Sequence, residues 1–491
     1  MINGTGGRIR RTHQWRIGAW TFFLSVLLFS SECPWAAVYE VGPGKEYETI
    51  GSVPWEALNA GDTVRIHWKS EPYREKWVIC RVGTDQQPIV VTGIPDPEGR
   101  RPVIDGEDAT TREQLDFWNE DRGVIKIGGA NSPADTMPAH IRIENLEIRG
   151  GRPPHTFTGR YGITEYRDNC AAVYMEKGQH ITIRNCILHD CGNGVFGSSG
   201  VKDLLLEFCH IYDNGIEGSI YHHNNYTECD GIVFQFNRFG PLRPECGGNN
   251  LKDRSAGTVI RYNWIEGGNR QLDLVDSDHE FLYTLPYYRS TYVYGNVLVE
   301  PEDEGNSQIC HYGGDSGDTD QYRKGALYFY NNTVVSTRSG NTTLFRLSTN
   351  DESADCRNNI CLVTAAGGRL AMTAGAGVLD LRNNWFKSDW VETHDTLTGI
   401  INDYGQIEGQ DPGFVDHTAQ DFRLTSASDC LNRGIACAGA VLPEHAVLWQ
   451  YGKHQSREHR PKDAVPDLGA FERPAMVIPP FFMLLTAPPQ P

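Results

Sequence analysis

From about residue 140 the chain keeps returning to one six-residue phrase: apolar, outward-facing, Asn or aromatic, Asn or small, any, apolar. It appears as Ile143-Glu-Asn-Leu-Glu-Ile148, Ile183-Arg-Asn-Cys-Ile-Leu188, Leu206-Glu-Phe-Cys-His-Ile211, Phe234-Gln-Phe-Asn-Arg-Phe239 and Ile260-Arg-Tyr-Asn-Trp-Ile265. It continues as Val293-Tyr-Gly-Asn-Val-Leu298, Phe329-Tyr-Asn-Asn-Thr-Val334, Cys356-Arg-Asn-Asn-Ile-Cys361 and Leu381-Arg-Asn-Asn-Trp-Phe386. The steps between first positions are 40, 23, 28, 26, 33, 36, 27 and 25 residues. A step near two dozen residues is one turn of a solenoid of short strands, and a longer step is the same turn with a loop inserted. Strands with two-residue alternation cannot bury their inner face alone, so each coil must stack on the next at about 4.8 Å. Asn in the same slot of successive coils can then bridge its amide to the neighbouring coil. The steps exclude a sandwich of regular hairpins, and helical periodicity is scarce.

The flanks extend this reading. Residues 38–139 supply short strands broken by Gly and Pro turns, as in Val38-Tyr-Glu-Val-Gly-Pro-Gly and Pro102-Val-Ile-Asp-Gly106, and are expected to be the N-terminal coils. Residues 140–390 form the main solenoid, and 391–475 an end piece containing Asp421-Phe-Arg-Leu424 and Pro466-Asp-Leu-Gly-Ala-Phe-Glu472. A Pro-rich apolar tail, 476–491, is too short and proline-broken to span a bilayer. At the other end Arg8, Arg10, Arg11 and Arg16 precede an uncharged apolar run over 17–29 and small residues at Ala36 and Ala37. Residues 1–37 therefore read as a cleaved signal peptide, with a signal anchor as the alternative. The mature protein is then expected to be secreted, periplasmic or on the cell surface, with no membrane span. Cys33 would leave with the signal, and the twelve remaining cysteines are an even number compatible with disulfides. At Cys186 and Cys209, which share a slot, stacked buried thiols are the favoured reading.

These short strands and their end piece resemble the right-handed parallel β-helix proteins of the pectate-lyase-like group over about residues 38–472. The resemblance implies an all-β, right-handed parallel β-helix with looped-out coils. The formal charge is −18, from 45 Lys and Arg against 63 Asp and Glu, which argues against a general nucleic-acid or anionic-membrane binder.

A second phrase precedes the first in each coil and marks a neighbouring strand. Aligning Val173-Tyr-Met-Glu176, Val195-Phe-Gly-Ser198, Ile220-Tyr-His-His223, Leu251-Lys-Asp-Arg254 and Leu272-Asp-Leu-Val275 turns second and fourth positions outward. One expected column is Tyr174, Phe196, Tyr221, Lys252 and Asp273; the other holds Glu176, Ser198, His223, Arg254 and Val275. Long inserts flank this face: 150–169 with Arg152, His155, Arg160 and Arg167; 277–290 with Tyr283, Tyr287 and Tyr288; and 311–324. A cationic, aromatic face on an acidic protein suits an anionic sugar chain, because aromatics stack on rings and Arg clamps carboxylates. Arg270, Tyr174, Tyr283 and Tyr312 are the candidate substrate contacts, an acidic polysaccharide is the expected partner, and a monomer the expected state.

The segment Glu245-Cys-Gly-Gly-Asn-Asn-Leu-Lys252-Asp-Arg-Ser is similar to the Lys-containing motif of alginate lyases and chondroitinase B. In that family a Lys abstracts the proton beside the uronate carboxylate, an Arg assists the leaving oxygen, and calcium neutralises the carboxylate. The resemblance puts Lys252 in the first role and Glu245 at one calcium position. This chain departs from the pattern at Leu272-Asp-Leu-Val275, where the family has Arg, and at Gly247, where it has a second Glu. From the residues themselves, elimination needs a base, a positive group on the carboxylate and an acid. Lys252 is the candidate base, Arg254 the clamp, and Tyr221 or His223 the acid. Asp273 opposes this by favouring protonated Lys252, unless a metal or Arg270 offsets its charge. Glu245, Asp273 and Asp276 are the candidate ligands of a Ca2+ ion; Asp278 and Glu280, and Asp315, Asp318 and Asp320 in a Gly-rich loop, are weaker ones that read as solvated acidic loops. Asn225-Tyr-Thr, Asn331-Asn-Thr and Asn341-Thr-Thr match the glycosylation triplet. Three alternatives stay open: a uronate epimerase, a glycoside hydrolase using two carboxylates, and a non-catalytic glycan-binding or structural solenoid whose charges form a solvated ladder.

Overall fold

The computed structural model describes residues 36–302 and 304–474; the body of the expected signal peptide and the whole Pro-rich tail lie outside them. The described chain is a right-handed parallel β-helix. Eleven strands, from Val103–Asp105 to Ile407–Gly409, stack in one parallel sheet, each paired with the equivalent strand one coil away. The other two faces of the coil merge into a single larger sheet. Twisted parallel strands joined by crossovers of this kind coil right-handedly.

The recurring phrase is the corner of the coil. Its first two positions end one strand, and its last two begin the next. The third position adopts a left-handed backbone in all nine repeats: Asn145, Asn185, Phe208, Phe236, Tyr262, Gly295, Asn331, Asn358 and Asn383 have φ between +50° and +67°. Asn and Gly tolerate that conformation, whereas aromatic residues resist it. The aromatic exceptions offset the cost by stacking: Phe208 on Phe236 with centroids 5.0 Å apart, and Phe236 on Tyr262 at 5.3 Å. First and sixth positions point inward, so Ile143, Ile183, Leu206, Phe234 and Ile260, with Ile148, Leu188, Ile211, Phe239 and Ile265, are all fully buried.

The fourth position carries an amide ladder. Asn237 Nδ2 donates to Asn263 Oδ1, Asn263 to Asn296 and Asn296 to Asn332, each at 3.0 Å. Asn332 continues to Asn359 at 3.1 Å, Asn359 to Asn384 at 2.9 Å, and Asn384 ends on Gln406 at 3.0 Å. Each Oδ1 also accepts the backbone N–H of the preceding coil, as at Asn263 N to Asn296 Oδ1, 2.9 Å. The buried corner is thereby satisfied by the protein's own groups. All twelve described cysteines are free thiols, and Cys186 and Cys209 lie in the core as stacked buried thiols. Among the described residues no helix is long and apolar enough to cross a membrane.

Eight strands position the site: β1 (Gly123–Ile127), β2 (Ala171–Arg184), β3 (Asn193–Glu207), β4 (Asn225–Thr227), β5 (Leu251–Asp253), β6 (Leu272–Leu274), β7 (Gln308–Tyr312) and β8 (Thr342–Leu347). They pair in parallel in that order. Asn296→Ala should strand the buried Asn263 N–H and amide and break the ladder at its middle. The expected loss of stability is about 2–4 kcal/mol, read from chemical or thermal denaturation.

Candidate functional site

Strand register builds one outward column across these eight coils: Lys126, Tyr174, Phe196, Tyr226, Lys252, Asp273, His311 and Arg346. From Phe196 to Arg346 it rises five steps, roughly 24 Å at strand spacing. Its first part is aromatic: Tyr174 stacks on Phe196 at 5.1 Å and Phe196 on Tyr226 at 5.2 Å. Its second part is charged. From Phe196 onward the column floors a cleft of 790 Å³, whose walls include Arg122, His223, Asn249, Arg254, Arg270 and Asp315.

At the centre Lys252 Nζ donates to Asp273 Oδ2 at 2.6 Å and to Asp315 Oδ2 at 2.7 Å. Arg254 Nη2 donates to Asp315 Oδ1 at 2.7 Å, Nη1 to the Asp276 carbonyl, and Nε to Tyr226 Oη at 3.1 Å. Asp273 also takes the Asn249 amide at 2.8 Å and His311 Nδ1 at 2.8 Å. The His311 Nε2 atom lies 2.9 Å from Ser348 Oγ and, in the neutral ring, accepts its proton. Burial alone would raise the Asp273 carboxyl, but Lys252 and His311 hold it well below the ordinary carboxylate range. Asp315 is likewise lowered, its desolvation outweighed by Lys252 and Arg254. His223 is pushed down to about 3, first by burial and then by Lys252. Its Nδ1 accepts the Asn249 backbone N–H at 2.9 Å, so the neutral ring keeps its proton on Nε2.

Lys252, Arg254, His223, Arg270 and Asp273 thus meet in one cleft. Arg270 lines it while donating from Nε and Nη2 to Gln308 Oε1 at 3.0 and 2.7 Å. Other expectations are corrected. Residues 220–223 are a turn before β4, so the expected alignment slips by five residues and Tyr226 takes the column place given to Tyr221. Tyr221 stands on the rim, 74% exposed. Tyr174 is in the column, but its ring is sealed between Phe196 and the Arg122 guanidinium. Tyr312 points into the core, because the residue before it, His311, faces outward. Tyr283 belongs to a one-turn helix, α1 (Glu280–Tyr283), and does not line the cleft. Arg152, Arg160 and Arg167 are paired with Asp190, Asp116 and Asp121 instead of facing it.

The three carboxylates expected to share a calcium ion do not converge. Glu245 sits in a turn outside the cleft wall. Asp273 is engaged by Lys252, Asn249 and His311, and Asp276 is wholly buried, accepting the Asp315 backbone N–H at 2.8 Å. Among the described residues no group of three or more His, Cys, Asp or Glu is arranged to hold a metal. Asn225, a formal glycosylation triplet, is fully buried and donates to the Lys252 carbonyl at 3.1 Å. That same triplet contains Tyr226, the strongest missed residue, and its buried Asn is what marks β4. His311 and Asp315 came from an insert, and Arg346 from β8, whose register only tertiary pairing sets.

No protein-family model matches the chain, and no curated protein matches it in sequence. Among solved structures it is similar to pectate lyase Pel9A, at 13% identity over 89% of this chain and 96% of that one, with a TM-score of 0.48. It is also similar to an alginate lyase from Paenibacillus sp. str. FPU-7, at 12% identity over 71% and 95%, with a TM-score of 0.42. A GH136 lacto-N-biosidase from Eubacterium ramulus matches at 11% identity over 76% and 68%, with a TM-score of 0.49. Likenesses of this degree carry no argument about the chemistry of the cleft, which rests on its own residues.

Asp273→Asn should leave Lys252 and His311 without their shared anion and destabilise the fold by about 3–5 kcal/mol at neutral pH. Because the native carboxyl is held low, its contribution is complete above the unfolded value of about 3.9 and fades as pH falls further. Thermal unfolding of wild type and variant should therefore differ strongly at pH 7, and the difference should begin to narrow only as pH falls below about 4.

Proposed function

We propose that the cleft binds an acidic, uronate-containing polysaccharide and cleaves it by β-elimination. The observation that carries this reading is the gathering of Arg122, Lys252, Arg254, Arg270 and Arg346 around one long groove on a protein of net charge −18. Cations so placed recognise carboxylates along a polymer, and the Phe196–Tyr226 stack offers ring faces for its sugars. A secreted, periplasmic or cell-surface location accords with such a substrate.

The roles differ from the simplest assignment. Lys252 donates to two carboxylates, so its amine is an ammonium and serves as the acid rather than the base. Tyr226 is the proton acceptor, its Oη lining the cleft where Arg254 Nε–H donates to it. Arg254 neutralises the uronate carboxylate, and the neutral His223 offers an Nε2–H donor. Tyr226 removes the C5 proton, the freed electron pair forms the C4–C5 double bond, the C4–O bond breaks, and Lys252 protonates the departing oxygen.

A glycoside hydrolase would need one protonated carboxyl near a second carboxylate. Asp273 and Asp315 share Lys252, but both are held below the ordinary range and stay ionised at neutral pH. Glu300, raised to about 7 by burial, lies outside the cleft with no exposed surface.

Purified protein incubated with alginate, pectate, chondroitin or heparan should generate the ultraviolet absorbance of an unsaturated uronate from at least one of them. Tyr226→Phe and Lys252→Ala are each expected to slow that rise 100-fold or more while the fold is retained. Deuterium uptake at C5 without absorbance would instead indicate an epimerase, and neither signal would indicate binding alone.

A further inference from the structure

The loop after β7 carries one feature that the elimination chemistry does not require. Asp315 reaches back across the cleft and lays its two carboxylate oxygens on the two central cations, Oδ2 on Lys252 and Oδ1 on Arg254, each at 2.7 Å. The two cations are only 6% and 9% exposed, whereas the Asp315 side chain is 33% exposed. The carboxylate therefore lies over them from the solvent side. The other polar partners of the pair are Asp273 for Lys252 and, for Arg254, Tyr226, the Asp276 carbonyl and carboxylate, and the more distant exposed carboxylate of Asp278 at 4.0 Å.

We propose that Lys252 and Arg254 form a carboxylate-binding subsite, and that Asp315 fills it in the free protein as an internal substitute for a uronate of the substrate. This rests on the cleft being the acidic-glycan site. A planar carboxylate bridging an ammonium and a guanidinium is the arrangement that a uronate entering from solvent would reproduce. Filling the subsite from within avoids leaving two nearly buried cations uncompensated before substrate arrives.

The loop is fastened on both sides of Asp315 in a way that confines the exchange. On one side Gly313 has φ +134°, and the Gly314 N–H donates to Ser348 Oγ at 2.9 Å. On the other, Arg323 is fully buried and donates to the carbonyls of Val275 and Ser255 at 3.0 Å each. Between these anchors residues 315–320 are exposed. Asp315 is tied to the wall through its own N–H and through Ser316, both bonded to the Asp276 carboxylate. A substrate carboxylate thus has to displace only a short exposed segment. Its departure removes one of the two anions on Lys252 and opens Arg254 to the glycan.

The test uses acetate alone as the probe, so it needs no knowledge of the polysaccharide. Asp315→Ala empties the subsite, and its unfolding temperature should be higher in potassium acetate than in potassium chloride of equal ionic strength, by about 2 °C or more. Wild type should show no such preference. Should the Ala variant fail to fold, Asp315→Ser, which also vacates the subsite, should show the same acetate preference. Equal unfolding temperatures in the two salts for the folded variant would overturn the proposal, as would an equal acetate preference in wild type. No glycosidic bond is broken in this experiment. Failure of the elimination assay would leave a positive acetate result standing, and failure of acetate rescue would leave elimination to be judged by its own product.

Discussion

Everything in this protein depends on equivalent residues of successive coils lying directly above one another in parallel register. That constraint turns a single side chain into a row, and a row has properties that one residue lacks. Apolar first and sixth positions become a continuous core. Amides in the fourth position become a ladder in which each Asn satisfies both its neighbour's side chain and a buried backbone N–H. Aromatics forced into left-handed corners recover part of the strain by stacking on the next corner. On the outer face the same rule makes a linear binding surface, because a column at strand spacing runs along the solenoid axis as an extended polymer does.

The outer column changes character along its length. Tyr174, Phe196 and Tyr226 give ring faces; Lys252, Asp273, His311 and Arg346 give charge. Asp273 is the hinge of the electrostatics, since its two oxygens hold Lys252, Asn249 and His311 at once. Burial would disfavour its charge, and the surrounding donors reverse that, so the floor keeps a fixed anion beneath mobile anions from solvent. The second anion on Lys252 is of a different kind: it arrives from a loop, lies at the surface and is exchangeable in principle, whereas Asp273 is part of the floor.

Much of the scaffold was legible in the residues, because its signals are local. The phrase from Ile143 to Phe386 encodes corner, inward positions and Asn slot within six residues, and neither loop length nor partner strand alters them. The site was legible where coils are short: Lys252 and Asp273, in coils 21 residues apart, were rightly aligned as neighbours. It failed where loops intervene. The turn at 216–224 separates β3 from β4, and no local signal says whether Tyr221 or Tyr226 joins the ladder; the backbone pairing of Asn225 with Leu251 decides it. Tyr312 was misplaced by parity alone, since strand alternation sends adjacent residues to opposite faces and the insert before β7 hides which one faces out. Asp315 read as a member of a solvated acidic loop, and its contact with cations from β5 and the turn after it is a purely tertiary fact.

The account's central claim is that the Lys252–Arg254 pair is where an acidic sugar is gripped. The most direct measurement is a crystal structure of the Tyr226→Phe protein soaked with uronate oligosaccharides. The account predicts a sugar chain lying along the Phe196–Arg346 column, a uronate carboxylate within hydrogen-bonding distance of Lys252 and Arg254, and Asp315 moved away from both. A sugar bound elsewhere, with Asp315 still on both cations, would contradict it.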